Sequence, residues 1–245
     1  MEGELRLGLL DYGTYQVHED GRRIPLLGYV VVGAGRVVLV DTGLPASYVD
    51  DPTGSSVRDR LDGFGRVLRF TSDNLPTAQL SRAGIAPDDV TDLLLTHGDV
   101  DHVGGLHDFP GATLIVSRRE LEHGPPRYTG EVQPVSWPRQ ATRLVEGDEE
   151  LLPGLTALLT PGHSPGHLSL LVRLPVTGPV LLAGDAISRP AELESGVNGG
   201  AWDADAARAS ARRLVRLAAL ERARLVFGHD PDPQPPYRFV PAWYE

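Results

Sequence analysis

Between residues 93 and 106 the chain reads LLLTHGDVDHVGGL. His97, Asp99, Asp101 and His102 therefore crowd into six positions directly behind an apolar run. Three later stretches repeat this theme: LTALLTPGHSPGH carries His163 and His167, PVLLAGD ends at Asp185, and RLVFGHD brings His229. Imidazole and carboxylate donors without thiolate suit zinc, manganese or iron. His97, Asp99, Asp101, His102, His163, Asp185 and His229 supply seven donors, the right number for two metal ions sharing one carboxylate. Two ions about 3.5–4 Å apart can hold a hydroxide and aim it at a carbonyl or phosphoryl centre. They also lower the pKa of that water towards about 7, so no separate general base is required.

Blander roles compete for the same kinds of residue. A calcium loop opening at Asp99 and Asp101 would put Val103 at its fifth position and Pro110 at its twelfth, and proline cannot be the bidentate ligand. His18, His107 and His123 have no comparable context and read as surface or packing histidines. His167 reads as a hydrogen-bonding residue of its Pro-Gly-His turn rather than a ligand. Asp41, at the end of VLVDTG, is equally well a plain turn residue or a support beneath the metals.

These residues need strands that end together. YVVVGAGRVVLVDTG (29–43) predicts a β-hairpin around Gly-Ala-Gly, and VTDLLLT (90–96) a buried strand. TLIVS (113–117), the start of 155–167, HLSLLVRL, PVLLAGD and RLVFGHD predict further strands, and RRELEHG a helix. Residues 44–70 predict loops with a short helix. SDNLPTAQLSRAG (72–84) predicts a helix capped by Ser72 or Asp73 and stopped by Gly84. The stretch 203–223 predicts an amphipathic helix with Ala207, Ala211, Leu214, Val215 and Ala218 on its inner face. Strand-end loops on a rigid sheet are where sites are usually built, and the element order suggests two packed sheets with helices outside.

Composition sets the bounds. A length of 245 residues suits one large domain spanning 1–245. The net charge of -10 argues against nucleic acid as a partner, because phosphate binding needs a basic face. The absence of cysteine excludes disulfides, thiolate ligands and a cysteine nucleophile. All 23 basic residues are arginine, so no side-chain amine is present for Schiff-base chemistry. No apolar run approaches the roughly 20 residues of a membrane helix, and the start MEGELRLGLLDYG lacks signal-peptide features. The expectation is a cytoplasmic protein acting on a small molecule, without membrane or nucleic-acid partners. The proline-rich end PDPQPPYRFVPAWYE is a candidate to dock on the domain or on a second copy, as in a homodimer.

Taken together, the motifs resemble the metallo-β-lactamase fold superfamily. THGDVDHVGG resembles its His-x-His-x-Asp-His motif, TPGHSPGH its second histidine motif, AGDA its bridging-aspartate motif, VFGHD its final histidine and VLVDTG the strand ending in a buried aspartate. The order holds from about residue 28 to 230. This resemblance implies an α+β fold, a four-layer αββα sandwich of two mixed β-sheets flanked by helices. It also implies that His97 and His163 serve a first metal and that Asp101, His102 and His229 serve a second. Asp185 would bridge them, and Asp101 and Asp185 would be the catalytic carboxylates. Asp99 departs from the pattern, standing where the family has its second histidine.

The implied function is a metal-dependent hydrolase of an ester, thioester or lactone carbonyl, with two divalent ions, zinc first and manganese or iron as alternatives. TPGHSPGH is similar to stretches of quorum-quenching lactonases and hydroxyacylglutathione hydrolases. Lactonases of this type carry a tyrosine three residues after the bridging aspartate, where this chain has Ser188. An iron-dependent oxygenase on the same scaffold, and a binding protein with a degenerate site, stay open as alternatives. Loop 44–75 and the stretches 123–140 and 187–202, with Trp137 and Trp202, are the expected pocket walls.

Overall fold

The computed structural model describes residues 4–125, 129–130, 133–196 and 200–245. Its opening half is a sheet of β1 (Arg6–Val17), β2 (Arg23–Gly33), β3 (Arg36–Val40), β4 (Gly65–Arg69), β5 (Asp92–Leu94), β6 (Thr113–Ser117) and β7 (Thr142–Val145). They lie in the order β4-β1-β2-β3-β5-β6-β7, antiparallel from β4 to β3 and parallel from β3 to β7. The second sheet holds β8 (Glu149–Leu152), β9 (Leu155–Leu159), β10 (Leu168–Leu174), β11 (Gly178–Leu182) and β12 (Arg224–Val226), in the order β12-β11-β10-β9-β8. Only its β11–β12 pair is parallel, so both sheets are mixed.

Strand periodicity divides the core into three. Successive side chains face opposite sides of a sheet. Leu9, Val31, Leu94 and Ile115 accordingly meet Leu170, Val172, Leu182 and Val226 between the sheets. Leu10, Val30, Leu93, Leu95 and Leu114 face outward, under the short helices α1 (Ser47–Asp50), α2 (Pro52–Arg58), α3 (Pro76–Arg82), α4 (Val100–Val103) and α5 (Arg118–His123). Leu158, Leu171 and Leu181 face the other way, after α6 (Pro190–Ser195) towards Leu214 of the long helix α7 (Ala204–Glu221). The result is the expected four-layer αββα sandwich. The three-leucine run of LLLT reads as it does because β5 is buried on both faces.

Several expectations are corrected. The predicted helix over 72–84 is a 3-10 turn (Ser72–Asn74) followed by α3, because Pro76 holds Leu75 extended at ψ 145°. Thr71, paired with Asn74, caps that turn rather than Ser72 or Asp73. Residues 44–70 contain the short edge strand β4, where only Gly65 and Val67 turn inward. On α7 the buried residues are Ala207, Ser210, Leu214 and Ala218, while Val215 points outward at 40% exposure. Ser210 takes the inner place because its hydroxyl donates to the Pro161 carbonyl (2.7 Å). The C-terminal stretch docks on the domain's own β1: Leu7 and Tyr244 exchange backbone hydrogen bonds of 2.8 and 2.9 Å, and Val240 N–H donates to Leu9 (3.0 Å).

Candidate metal centre

The C-terminal ends of β5, β9, β11 and β12 converge on one edge of the sandwich. His97 follows β5, and Asp99 stands just before α4, which carries Asp101 and His102. His163 lies in the turn from β9 to β10, Asp185 in a 3-10 turn (Gly184–Ile187) after β11, and His229 after β12. A backbone hydrogen bond from Leu168 to Thr96 (2.8 Å) ties the two sheets together there.

All seven expected donors meet. Asp99 Oδ2 lies 3.5 Å from His97 Nε2 and 3.3 Å from His163 Nε2. Asp101 Oδ2 lies 3.7 Å from His102 Nε2 and 4.0 Å from His229 Nε2. Asp185 stands between the groups, with Oδ1 3.7 Å from His102 Nε2 and Oδ2 3.7 Å from His163 Nε2 and 3.1 Å from His229 Nε2. A tetrahedral ion with metal–ligand bonds near 2.0–2.2 Å separates its ligands by roughly 3.3–3.6 Å. His97–Asp99–His163 and Asp101–His102–His229 are therefore two sets that could each hold an ion.

Hydrogen bonds set which imidazole nitrogen is free. The Thr96 hydroxyl donates to Asp41 Oδ2 (2.8 Å) and so accepts from His97 Nδ1 (3.0 Å). His102 Nδ1 donates to Asp41 Oδ2 (2.9 Å), and His229 Nδ1 donates to the Pro25 carbonyl (2.8 Å). Each ring then turns a basic Nε2 inward. His97 Nε2 and His102 Nε2 are buried with no hydrogen-bond partner. A buried imidazole nitrogen left unpaired is costly, and a metal ion is the partner that this donor set fits.

Electrostatics agree with that fit. Burial disfavours a charged His163, but the Asp99 hydrogen bond and the Asp185 charge prevail and raise it to about 9. His229 is likewise raised to about 9 against burial, by Asp185 and Asp101. His102 is raised despite burial by Asp101, Asp41 and Asp185. Asp99 and Asp185 are lowered despite burial by the imidazoles around them. Without metal, the cluster balances its carboxylates with protons on histidines, and a cation would displace those protons.

His167 differs in kind. It is fully buried, and burial together with the neighbouring His97 and His163 pushes its pKa well below the ordinary histidine value. The Ser169 hydroxyl donates to the Ala183 carbonyl (2.8 Å), and Thr160 Oγ1 lies 2.9 Å from Ser169 Oγ and from His167 Nδ1. Read along this chain, His167 Nδ1 donates to Thr160, and its Nε2 accepts from the Asp185 backbone N–H (3.0 Å). His167 thus holds the turn that presents Asp185, a role beyond the hydrogen bond within its own turn that the sequence suggested. Asp41, left open by the sequence, is the support beneath the site: it accepts from Thr96 and His102 while sitting at φ 59°. Thr96, Thr160 and Ser169 were not foreseen; their signal was only a hydroxyl beside each histidine motif.

The remaining expectations divide. His18, His107 and His123 are exposed, and His123 packs edge-on against Trp202 with ring centroids 5.6 Å apart. Trp137 covers the motif loop at Gly98, and the Trp202 backbone donates to the His163 carbonyl (3.0 Å). The Ser188 backbone carbonyl accepts from the His229 backbone N–H (2.7 Å). Residues 126–128, 131–132 and 197–199 of the expected pocket walls lie outside the described residues.

A family model for the metallo-beta-lactamase superfamily matches residues 27–229. The chain is 32% identical to N-acyl homoserine lactonase AiiA of Bacillus thuringiensis subsp. kurstaki, over 90% of this chain and 87% of that protein. It is also 32% identical to N-acyl homoserine lactonase AttM of Azorhizobium caulinodans, over 91% of this chain and 88% of that protein. Among solved structures it is similar to an N-acyl homoserine lactone hydrolase with the product N-hexanoyl-L-homoserine at its catalytic metal center, at a TM-score of 0.84, 30% identity and 98% coverage of both chains. A match of this extent, on a site of this geometry, makes the chain a member of the metallo-beta-lactamase superfamily and a metal-dependent hydrolase.

Proposed function

We propose that this hydrolase opens the ring of N-acyl homoserine lactones, with two divalent ions held at the seven-residue cluster. His97, Asp99 and His163 hold one ion, Asp101, His102 and His229 the other, and Asp185 faces both. The carrying observation is the pair of buried, unpartnered Nε2 atoms of His97 and His102, facing carboxylates at one strand edge. The relatives are lactonases along nine-tenths of the chain, which supports the substrate class. When bound, the ions supply Lewis acidity and a water that ionises near neutral pH. Asp101 would accept the proton that this water gives up and pass it to the departing ring oxygen, so that the proton is conserved across the ring opening.

Zinc is the proposed metal, with manganese or iron in competition because Asp99 places a harder oxygen among the first ion's ligands. Ser188 stands where the resembling lactonases carry a tyrosine, so the carbonyl must be held without that phenol. The acidic composition agrees with a small, uncharged substrate rather than nucleic acid. The test is ring opening, followed by proton release, on a series of acyl homoserine lactones, with thioesters and phosphodiesters in parallel. Lactone turnover that depends on added metal is expected. A metal-loaded protein that cleaves thioesters and leaves lactones intact would overturn the substrate assignment.

A further inference from the structure

A buried carboxylate outside the seven donors joins the two loops that carry the first ion's ligands. Glu120, on the first turn of α5, is 5% exposed. Its Oε1 accepts from the Gly98 backbone N–H (2.8 Å), the residue between His97 and Asp99. Its Oε2 accepts from Ser164 Oγ (2.6 Å) and from the Gly166 backbone N–H (3.0 Å), just beyond His163. Both oxygens only accept, and hydrogen bonds to a charged group are the strong ones.

The helix that carries Glu120 is itself seated on the second loop. Ser117 caps α5 by accepting from Glu120 N–H (3.1 Å). A Cβ at Gly166 would fall 2.1 Å from Ser117 Oγ and 2.3 Å from Glu120 N, so only glycine permits this approach. A Cβ at Gly98 would stand 3.3 Å from Glu120 Oε1. The other half of the cluster takes its hydrogen bonds elsewhere: His102 leans on Asp41, and His229 on the Pro25 carbonyl.

We infer that Glu120 is a positioning residue for the first ion alone, setting the distance between the His97–Asp99 loop and the His163 loop. The inference rests on the two-ion reading above. Asp99 sharpens the need for such a brace. Aspartate is shorter than the histidine of the family motif, so the backbone must bring it closer to meet His97 and His163. In Glu120→Gln, one acceptor becomes an amide donor and confronts either the Gly98 or the Gly166 N–H. The loop spacing then relaxes while the packing volume is kept.

The experiment measures stepwise metal affinity and ions retained per chain after dialysis against a competing chelator. It compares the wild type with Glu120→Gln, Ser164→Ala, Glu120→Ala and the control Glu122→Ala. Glu122 is exposed on the same helix and pairs with Arg118 (3.3 Å). The weaker-binding step is expected to lose roughly 10–100-fold in Glu120→Gln, the scale for groups that orient ligands. The other step should stay unchanged, and Ser164→Ala should show a smaller loss of the same kind. Glu120→Gln and Ser164→Ala decide the matter if Glu120→Ala does not fold. Two ions retained with unchanged affinities in both variants, or parallel loss of both ions, would overturn the role of Glu120 alone. A wild type that binds no metal would overturn the two-ion reading and this inference with it.

Discussion

The two halves of the cluster are built differently. Around His102 and His229, support comes from the sandwich itself: Asp41 at the end of β3, and the Pro25 carbonyl on β2. Around His97, Asp99 and His163, Asp41 acts at one remove, through the Thr96 hydroxyl, and further support comes from Glu120 and the turn after β9. His163 Nδ1 is buried without a hydrogen-bond partner, whereas Nδ1 of the other three donor histidines is engaged. Sites held by strands are more precisely placed than sites held by loops. The comparison teaches that one family motif can yield two positions of unequal rigidity, and that the first should be the more easily emptied and the more easily retuned.

The largest expected effect removes the contrast altogether. Asp185 faces both halves, so Asp185→Ala should lower lactone turnover on the order of 100-fold or more, the scale of deleting one charge-stabilising group. Metal analysis of the same variant should show loss from both positions. Asp41→Asn should weaken the second half most, because Asp41 bonds His102 directly and reaches His97 through the Thr96 hydroxyl. It removes a negative acceptor from His102 and should weaken that ion's binding by roughly 10–100-fold, read as a change in one step of a metal titration. Loss from the first half instead would invert the comparison.

Asp99→His sharpens the comparison by restoring the family's histidine in the looser half. Two divalent ions, one hydroxide and the carboxylates Asp99, Asp101 and Asp185 sum to a formal charge near zero; histidine raises it to about +1. The variant should keep its metal, shift towards zinc, and raise phosphodiester turnover relative to lactone turnover. The check is kcat/KM for one substrate of each type, with metal content assayed alongside. An unchanged ratio and metal preference would mean that Asp99 lies outside the coordination sphere.

A smaller effect follows from pH. In the metal-free protein, His163 and His229 titrate at about 9, above the ordinary histidine value near 6.5. Their contribution to stability is complete below about pH 6.5 and is lost as pH rises through about 9. The melting temperature of the metal-free protein should therefore fall between these values. Metal affinity should rise over the same window, because fewer protons must be displaced. At the bottom of the scale, His123→Ala should leave turnover and metal content unchanged, since that exposed ring packs edge-on against Trp202 at the end of α5, outside the donor cluster.

Much of this site was legible in the sequence because each donor directly follows an apolar strand. The direction of β5, β9, β11 and β12 then brings the donors to one edge, and only the pairing of sheets had to be supplied by the fold. The supports were harder to read. Glu120 lies 22 residues from Gly98 and 46 from Gly166, inside RRELEHG, which has the composition of any surface helix. Nothing local distinguishes it from its exposed neighbour Glu122; what singles it out is the packing of α5 on Gly166. Edge strand β4 was hidden for a similar reason, since only Gly65 and Val67 of its five residues turn inward and two positions are too few to show a period. The break at Leu75 was visible in principle, because the residue before a proline avoids the helical region.

The central claim is that two ions occupy two unequal halves of one cluster. Anomalous diffraction at metal absorption edges, on crystals of protein purified without chelator, addresses it directly. The expected result is two peaks about 3.5–4 Å apart, one within His97, Asp99 and His163 and one within Asp101, His102 and His229, with the first weakening sooner on mild chelation. A single peak, no peak, or first loss from the His102 half would contradict it.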